Sequence, residues 1–165
     1  MCDYSIDGIQ DSYRSMIVKT KWYLGGSGKN GYDTKRPANI YTYERDPNAV
    51  NTGRSSSTTG YIGLIYVSDY LYGVLKSNCN RSILYSSYNS STCAGKNWLY
   101  NLGMAWTISP GTYYLYDSFI INKDGSIGKN NVTAGGFIRP VLYLSPLVYK
   151  VNGSGTITDP YIIGM

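Results

Sequence analysis

The chain has 165 residues, a length that fits one domain able to build its own core, so residues 1–165 are predicted to form a single domain. Only 15% of the residues are charged, and the 15 basic ones, against 10 acidic ones for a net charge of +5, are scattered along the chain. This scatter of basic residues argues against nucleic-acid binding. The chain has no histidine, so Ser-His-Asp and Cys-His acyl-transfer sites are excluded, and the commonest metal ligand is absent.

The first part of the chain is predicted to contain a short helix followed by short strands. Apolar residues in 3–14 repeat with a loose helical period, and turn-forming residues then separate three strand patterns, at 16–24, 40–43 and 61–67. The third pattern is a continuous apolar run, which is typical of a central strand. Ser68 and Asp69 follow it and can cap a helix over 70–76.

Cys79 and Cys93 bracket a stretch rich in Asn, Ser and Tyr. A disulfide between them would close a loop of about 15 residues and stabilise the fold by roughly 3 kcal/mol. We predict this disulfide, and with it an oxidising compartment. The alternative is two unrelated thiols, whereas a metal site is disfavoured because Cys-x-x-Cys spacing and histidine are both absent. Cys2 is left over, either free or paired with a residue outside this sequence.

The second part of the chain is predicted to be mostly strands. An anchored turn is expected at 97–100, strands at 105–109 and 113–121, and a hairpin turn at Asp124-Gly125 that leads into a return strand from Ile127. A polar loop at 129–135, a strand at 136–144 and a last hairpin around Asn152-Gly153 follow. The whole pattern predicts an α+β domain with short, mostly antiparallel strands, one or two short helices and long loops.

No cofactor is expected from the sequence. Residues 25–29 are rich in glycine but lack the spacing of a phosphate-binding loop, and residues 122–125 lack the downstream glutamate of a calcium loop. The apolar runs are far shorter than the ~20 residues that span a bilayer, so no membrane insertion is expected. No signal peptide opens the chain, and an exported protein would carry its leader or anchor outside this sequence.

Segments spread over residues 16–165 carry a resemblance to known proteins. They are Ile62 to Tyr72, Cys79, Cys93, Asn97 to Tyr100, Trp106 to Gly111, Gly136 to Leu144, Gly155-Thr156 and Asp159-Pro160-Tyr161. Together they resemble the C-terminal module of surface proteins of gut Firmicutes, some of them pilin-like. This resemblance implies a location at the cell surface.

The Gly-Phe-Ile-Arg-Pro-Val segment at 136–141 also resembles the closing strand of the C-type-lectin-like fold. Formylglycine-generating enzymes and the variable proteins of diversity-generating retroelements share that fold, so the resemblance implies a C-type-lectin-like domain. The enzymes carry a catalytic cysteine pair in their C-terminal region, whereas this chain has no cysteine after Cys93. The resemblance therefore does not extend to their activity.

In the retroelement variable proteins, ligand-facing positions cluster just before the closing strand and are rich in Tyr, Asn and Ser. The matching candidates for ligand binding here are Tyr113, Tyr114, Tyr116, Lys129, Asn130 and Asn131. Nineteen tyrosines against two phenylalanines already indicate that many phenol rings are exposed. Tyrosine gives rigid contact area and Asn gives adaptable hydrogen bonding, as in antibody paratopes. The alternative is that these are ordinary strand and turn residues, and Trp106 and Arg139 are assigned to structure.

The sequence as a whole favours a non-catalytic, extracytoplasmic, adhesin-like domain that binds a protein or a glycan on another surface. The first alternative is a pilin-like structural subunit whose Tyr-rich face packs against copies of itself. The second is a hydrolase of carbohydrate or peptidoglycan. That activity would need two carboxylates ~5–9 Å apart, for which Asp69 and Asp117 are examples.

Overall fold

The structure of the chain is a computed structural model that describes residues 9–26, 36–50, 53–80, 82–89, 91, 93–111, 116–156 and 158–165. Within these ranges it contains three α-helices: α1 (Asp11–Arg14), α2 (Pro37–Arg45) and α3 (Val67–Tyr72). The strands are β1 (Thr20–Tyr23), β2 (Ser57–Gly60), β3 (Ile62–Leu64), β4 (Ala105–Pro110), β5 (Asp117–Ile121), β6 (Ile127–Asn131), β7 (Pro140–Leu142), β8 (Tyr149–Asn152) and β9 (Ile162–Gly164).

The strands form four small antiparallel sheets. β1 pairs with β2, β3 with β7 and β8 with β9, while β4, β5 and β6 form a three-stranded sheet in that order. The predicted α+β class, with short antiparallel strands and few helices, is thereby confirmed.

The core lies between the three-stranded sheet and the helices α2 and α3. Ile40 of α2, Leu71 of α3 and Phe119 of β5 are fully buried in one apolar cluster, together with Ile121. Side chains alternate along β4 between buried and half-buried positions, as expected for a strand with one face on a core. Each fully buried large side chain contributes about 1.5–3 kcal/mol to folding, so this cluster dominates the stability of the fold.

Cys79 and Cys93 form a disulfide, as predicted, and both residues belong to the core cluster. The segment between them supplies Tyr88, whose buried ring meets the ring of Tyr70 edge to face at 5.4 Å between centroids. The bond therefore holds aromatic core residues in place, in addition to closing a loop.

The anchored turn predicted at 97–100 is also present. Asn97 is buried, and its Nδ2 donates to the Tyr70 carbonyl at 2.8 Å and to the Tyr88 hydroxyl at 3.1 Å. Its Oδ1 accepts from the Leu99 N–H at 3.0 Å. One amide therefore ties α3, the disulfide-bonded segment and the turn together.

The β5–β6 hairpin turns at Asp124-Gly125 as predicted, and Gly125 has a φ of +74°. The Tyr70 hydroxyl donates to the Gly125 carbonyl at 2.8 Å, and a Cβ added at Gly125 would lie 2.6 Å from the Cβ of Ala94. Only glycine fits this position, because it needs both a left-handed backbone and close contact. We call this turn the anchored end of the hairpin.

The prediction of a strand over 40–43 is wrong, because these residues lie in helix α2. Pro37 occupies the first helical turn, where its fixed φ and missing N–H are suited to a helix start. Ile40 and Glu44, four residues apart on one helical face, are both fully buried. The run Ile40-Tyr41-Thr42-Tyr43 is compatible with a helix as well as with a strand, and the burial of Ile40 and Glu44 on one face favours the helix.

Other boundaries also differ from the predictions, among them those of β1 and β7, which are shorter than the strands predicted at 16–24 and 136–144. α3 begins at Val67, so Ser68 and Asp69 lie inside its first turn instead of capping it. β6 extends to Asn131, into the predicted polar loop at 129–135, because its backbone pairs with β5 along its whole length. The central strand predicted at 61–67 is only the three residues of β3.

The last part of the chain lies mostly outside the core. Among the described residues, no hydrophobic side chain after Ile121 is fully buried, and more than half of the exposed large apolar side chains belong to residues 132–165. Arg139 donates to the Leu102 carbonyl, which agrees with its predicted structural role. None of the helices that the structure describes has the length and apolar composition needed to cross a bilayer.

Candidate ligand-binding site

The end of the β5–β6 hairpin opposite its anchored end at Asp124-Gly125 is open to solvent. Asp117 pairs with Asn131 at the last register position, and the Val132 N–H donates to the Tyr116 carbonyl at 2.8 Å. The Tyr116 side chain is 50% exposed and that of Val132 is 56% exposed. We call these four residues the open end of the hairpin.

A cleft of about 270 Å³ adjoins the open end. Its apolar lining includes Leu24, Ile108 and Val132, and its polar lining includes Arg54 and Asp117. A cleft with an apolar wall and a few convergent polar groups is the usual form of a binding site for a small ligand or for one residue of a larger one. A ligand in this cleft could contact the apolar wall and exchange hydrogen bonds with the polar groups.

Arg54 lies in the loop before β2 and places a positive charge at this cleft. Its Nη1 lies 3.4 Å from the Gly111 carbonyl oxygen and its Nη2 lies 3.5 Å from the Asp117 carbonyl oxygen. Both distances are at the long end for hydrogen bonds. Partial burial lowers the pKa of Arg54, and the charge of Asp117 opposes this effect. Arg54 and Asp117 thus line the same cleft and influence each other electrostatically.

The predicted binding residues lie in different environments. Tyr113 and Tyr114 lie outside the described residues. Tyr116 lies at the open end and is exposed, while Phe119 and Ile121 further along β5 are buried in the core cluster.

The other three predicted residues lie on β6. Lys129 is exposed, and its Nζ lies 5.8 Å from the centroid of the Phe119 ring. The Oδ1 of Asn130 accepts from the Asn131 N–H at 2.9 Å. The Oδ1 of Asn131 accepts from both the N–H and the hydroxyl of Thr133 at 2.9 Å. The Asn131 side chain therefore stabilises a turn, the alternative role considered from the sequence.

A second polar cluster lies in the interior and centres on Glu44 of α2. The carboxyl group is fully buried and accepts hydrogen bonds from the Ser109 hydroxyl and from the Ser68 N–H, the latter at 3.3 Å. Arg45 Nη1 lies 3.4 Å from Glu44 Oε2. Burial raises the pKa of Glu44 to about 7, against the opposing effect of these hydrogen bonds and of Arg45. Because this carboxyl has no solvent access, its role is to join α2, α3 and β4.

The two carboxylates considered for hydrolysis have separate partners. Asp69 Oδ1 lies 3.2 Å from Nη2 of Arg45. The Cζ atom of the same Arg45 lies 3.8 Å from the centroid of the Tyr41 ring. Asp117 lies at the cleft beside Arg54. Each carboxylate is therefore associated with a cation of its own.

Sequence reasoning missed both Arg54 and Glu44. Arg54 meets Gly111, 57 residues further along the chain, and no local pattern marks that contact. Glu44 had one usable signal, since Pro37, Ile40 and Glu44 fit the start and one face of a helix.

In the ranges covered by the structure, no group of three or more Cys, Asp or Glu side chains is placed to hold a metal ion. Comparison of the chain with known protein families, with curated proteins and with solved structures finds no match.

Proposed function

We propose that this chain is a non-catalytic ligand-binding domain of C-type-lectin-like fold that works outside the cytoplasm as an adhesin-like module. The observation that carries the proposal is the open end of the β5–β6 hairpin. There, exposed Tyr116 and Val132 lie beside a cleft that also presents Arg54 and Asp117.

The physical argument rests on how such side chains bind. An exposed tyrosine on a strand end brings a large contact area at a small entropic cost, because it has only two side-chain torsions to fix. Tyr and Arg are also the residues that most often carry binding energy at interfaces. The ligand is a protein or a glycan on another surface, whose polar groups would meet Arg54 and Asp117.

The Cys79–Cys93 disulfide supports a location outside the cytoplasm. Structural disulfides persist in oxidising compartments and are rare where thiol reductants dominate. Both sulfurs are buried, so this bond belongs to the core and not to an exposed redox site.

The test uses Tyr116→Ala, with Tyr13→Ala on α1 as the matched control because that ring is exposed to a similar degree, 47%. Wild-type protein is screened on a glycan array and on cell surfaces, and the binding surface found is titrated with each variant. We expect Tyr116→Ala to keep its melting temperature and to lose about 30-fold in affinity, roughly 2 kcal/mol. Tyr13→Ala should bind like wild type.

Two results would contradict the proposal in different ways. Unfolding of Tyr116→Ala would show that the ring supports the fold. Unchanged affinity would move the site elsewhere, first to the disulfide-bonded segment at 79–93.

A further inference from the structure

A second cleft, of about 330 Å³, has a size suited to a small ligand. The described residues that line it are Trp98, Arg139 and five residues with aliphatic side chains. The five are Ile65, Leu99, Ile138, Pro140 and Val141. None of these lining residues belongs to the cleft beside the open end of the β5–β6 hairpin. We call this second site the Trp98 cleft.

Trp98 is held in an exposed position by its two neighbours. Asn97 and Leu99 are 5% and 3% exposed, and the hydrogen bonds of the Asn97 side chain secure the turn. The Trp98 side chain between them is 69% exposed. Exposed tryptophan side chains are among the commonest centres of binding energy, and a fixed position reduces the entropy lost on binding. The indole ring therefore offers the cleft an apolar surface that is in place before a ligand arrives.

Arg139 is also held in position, on the other wall of the cleft. The Phe137 N–H donates to the Met104 carbonyl at 2.9 Å, and the Trp106 N–H donates to the Phe137 carbonyl at 3.0 Å. Two residues later, Nη2 of Arg139 donates to the Leu102 carbonyl. A guanidinium has five N–H donors, and this bond uses one of them. Arg139 thus brings a positioned cation with further donors to a cleft that is otherwise apolar.

We propose that the Trp98 cleft binds a small organic acid that has an apolar body and one carboxylate, such as a medium-chain fatty acid. The apolar body lies against Trp98 and the aliphatic wall. The carboxylate accepts charge-assisted hydrogen bonds from Arg139. Of the described residues that line the cleft, Arg139 is the only charged one, so charge complementarity selects an anion over a cation.

The aliphatic wall disfavours a sugar as the occupant. A sugar carries hydroxyl groups around its ring, and a hydroxyl pressed against an aliphatic side chain loses water without gaining a hydrogen-bond partner. A hydrocarbon chain has no such cost and gains from leaving water. The lining therefore selects a ligand whose only polar group is the one that meets Arg139.

The backbone of the wall disfavours an extended peptide. Peptides that bind along a strand obtain much of their affinity from main-chain hydrogen bonds. In this wall, Val141 lies opposite Gly63 in the β3–β7 pair, and the Ile65 carbonyl accepts from the Ile108 N–H at 3.0 Å. Because the fold already uses the backbone here, the wall presents side chains to a ligand.

The test follows the indole N–H signal of Trp98 by NMR in the isotope-labelled full chain. The chain has three tryptophans, and the signal of Trp98 is the one lost in Trp98→Phe. The probe is octanoate. An acid of about ten non-hydrogen atoms is expected to bind with a Kd of about 1 mM, so a titration to about 20 mM should shift the Trp98 signal to saturation.

Two matched ligands separate the effects of charge and chain. Octanamide has the chain of octanoate without its charge, and it should bind at least about fivefold more weakly because the charge-assisted hydrogen bond is lost. Butyrate has the carboxylate with a shorter chain, and it should bind at least about tenfold more weakly because less apolar surface is buried.

Variants assign these effects to the two side chains. Arg139→Gln keeps a donor for the Leu102 carbonyl and removes the charge, so octanoate and octanamide should then bind within about twofold of each other. Trp98→Ala should weaken octanoate binding at least about fivefold, measured on the ligand signals by saturation transfer. The control is Leu75→Ala, which removes a side chain of similar exposure, 70%, outside the described lining and should bind like wild type. Melting curves check that each variant folds.

Several results would overturn the proposal. One is a Trp98 signal that octanoate does not shift, and another is equal affinity of wild type for octanoate and either matched ligand. A preference for octanoate that survives Arg139→Gln would do the same. Tighter binding of methyl glucuronide or of acetyl-glycyl-leucine than of octanoate would assign the cleft to a sugar or to a peptide instead. Tyr116→Ala should bind octanoate like wild type, so this proposal and that for the open end of the β5–β6 hairpin stand or fall separately.

Discussion

Glu44 makes the stability of this protein depend on pH in an unusual direction. Its folded-state pKa is raised from 4.5 to about 7, mainly because burial removes water from the carboxylate. Between these values the folded protein holds a proton that the unfolded chain releases. The stabilisation from this group is therefore fully present below about pH 4.5 and is lost as the pH rises through about 7.

The size of the effect follows from the pKa difference. Each pH unit between the folded and unfolded pKa corresponds to about 1.4 kcal/mol, so Glu44 alone should make the protein about 3 kcal/mol less stable at pH 8 than at pH 4.5. Glu44→Gln keeps the shape of the side chain and cannot ionise. We expect its free energy of unfolding to change little between pH 5 and 8 while that of wild type falls.

The assay is urea unfolding of both proteins at pH 5, 6, 7 and 8. Asp11→Asn is the control, because the Asp11 side chain is 91% exposed and its removal should leave the wild-type pH dependence in place. Parallel stability curves for wild type and Glu44→Gln over this range would refute the reasoning, since they would mean that Glu44 is ionised throughout without a folding penalty.

Two further measurements test the disulfide bond and the turn at Asn97 that follows it. Reduction of Cys79–Cys93 should lower the free energy of unfolding by about 3 kcal/mol. Urea titration with and without reductant measures this change. Alkylatable thiols at these positions in native, non-reduced protein would contradict both the bond and the extracytoplasmic location. Asn97→Ala should cost about 2–4 kcal/mol, because it removes three buried hydrogen bonds and leaves the buried Leu99 N–H without the Asn97 Oδ1 acceptor. The exposed control Asn78→Ala should change stability by less than about 0.5 kcal/mol.

The features that the sequence predicts well are local ones. The Asp124-Gly125 turn depends on the backbone freedom of one glycine, and the Cys79–Cys93 bond depends on two residues that bracket one loop. The turn at Asn97 likewise uses a side chain that bonds the N–H two residues further on. In each case the residue types that decide the structure are neighbours in the chain.

The features that the sequence does not predict depend on distant partners. Glu44 is secured by Ser68 and Ser109, which are 24 and 65 residues away. Arg54 reaches Gly111 across 57 residues. The register that brings such groups together comes from the packing of the whole core, so a local pattern does not contain it. The two ends of the predicted binding segment differ for the same reason. Tyr116 lies beside the cleft, whereas the Asn131 side chain accepts hydrogen bonds within a turn.

The two ends of the β5–β6 hairpin differ in how deeply their side chains are buried, and this has a consequence for how the protein can change over generations. A substitution at Gly125 must fit between Ala94 and Tyr70 and would disturb the core. A substitution at Tyr116 or Val132 replaces a side chain that is half exposed or more, so it alters the surface while removing little buried area. Selection can therefore change Tyr116 and Val132 with little effect on the fold that supports them.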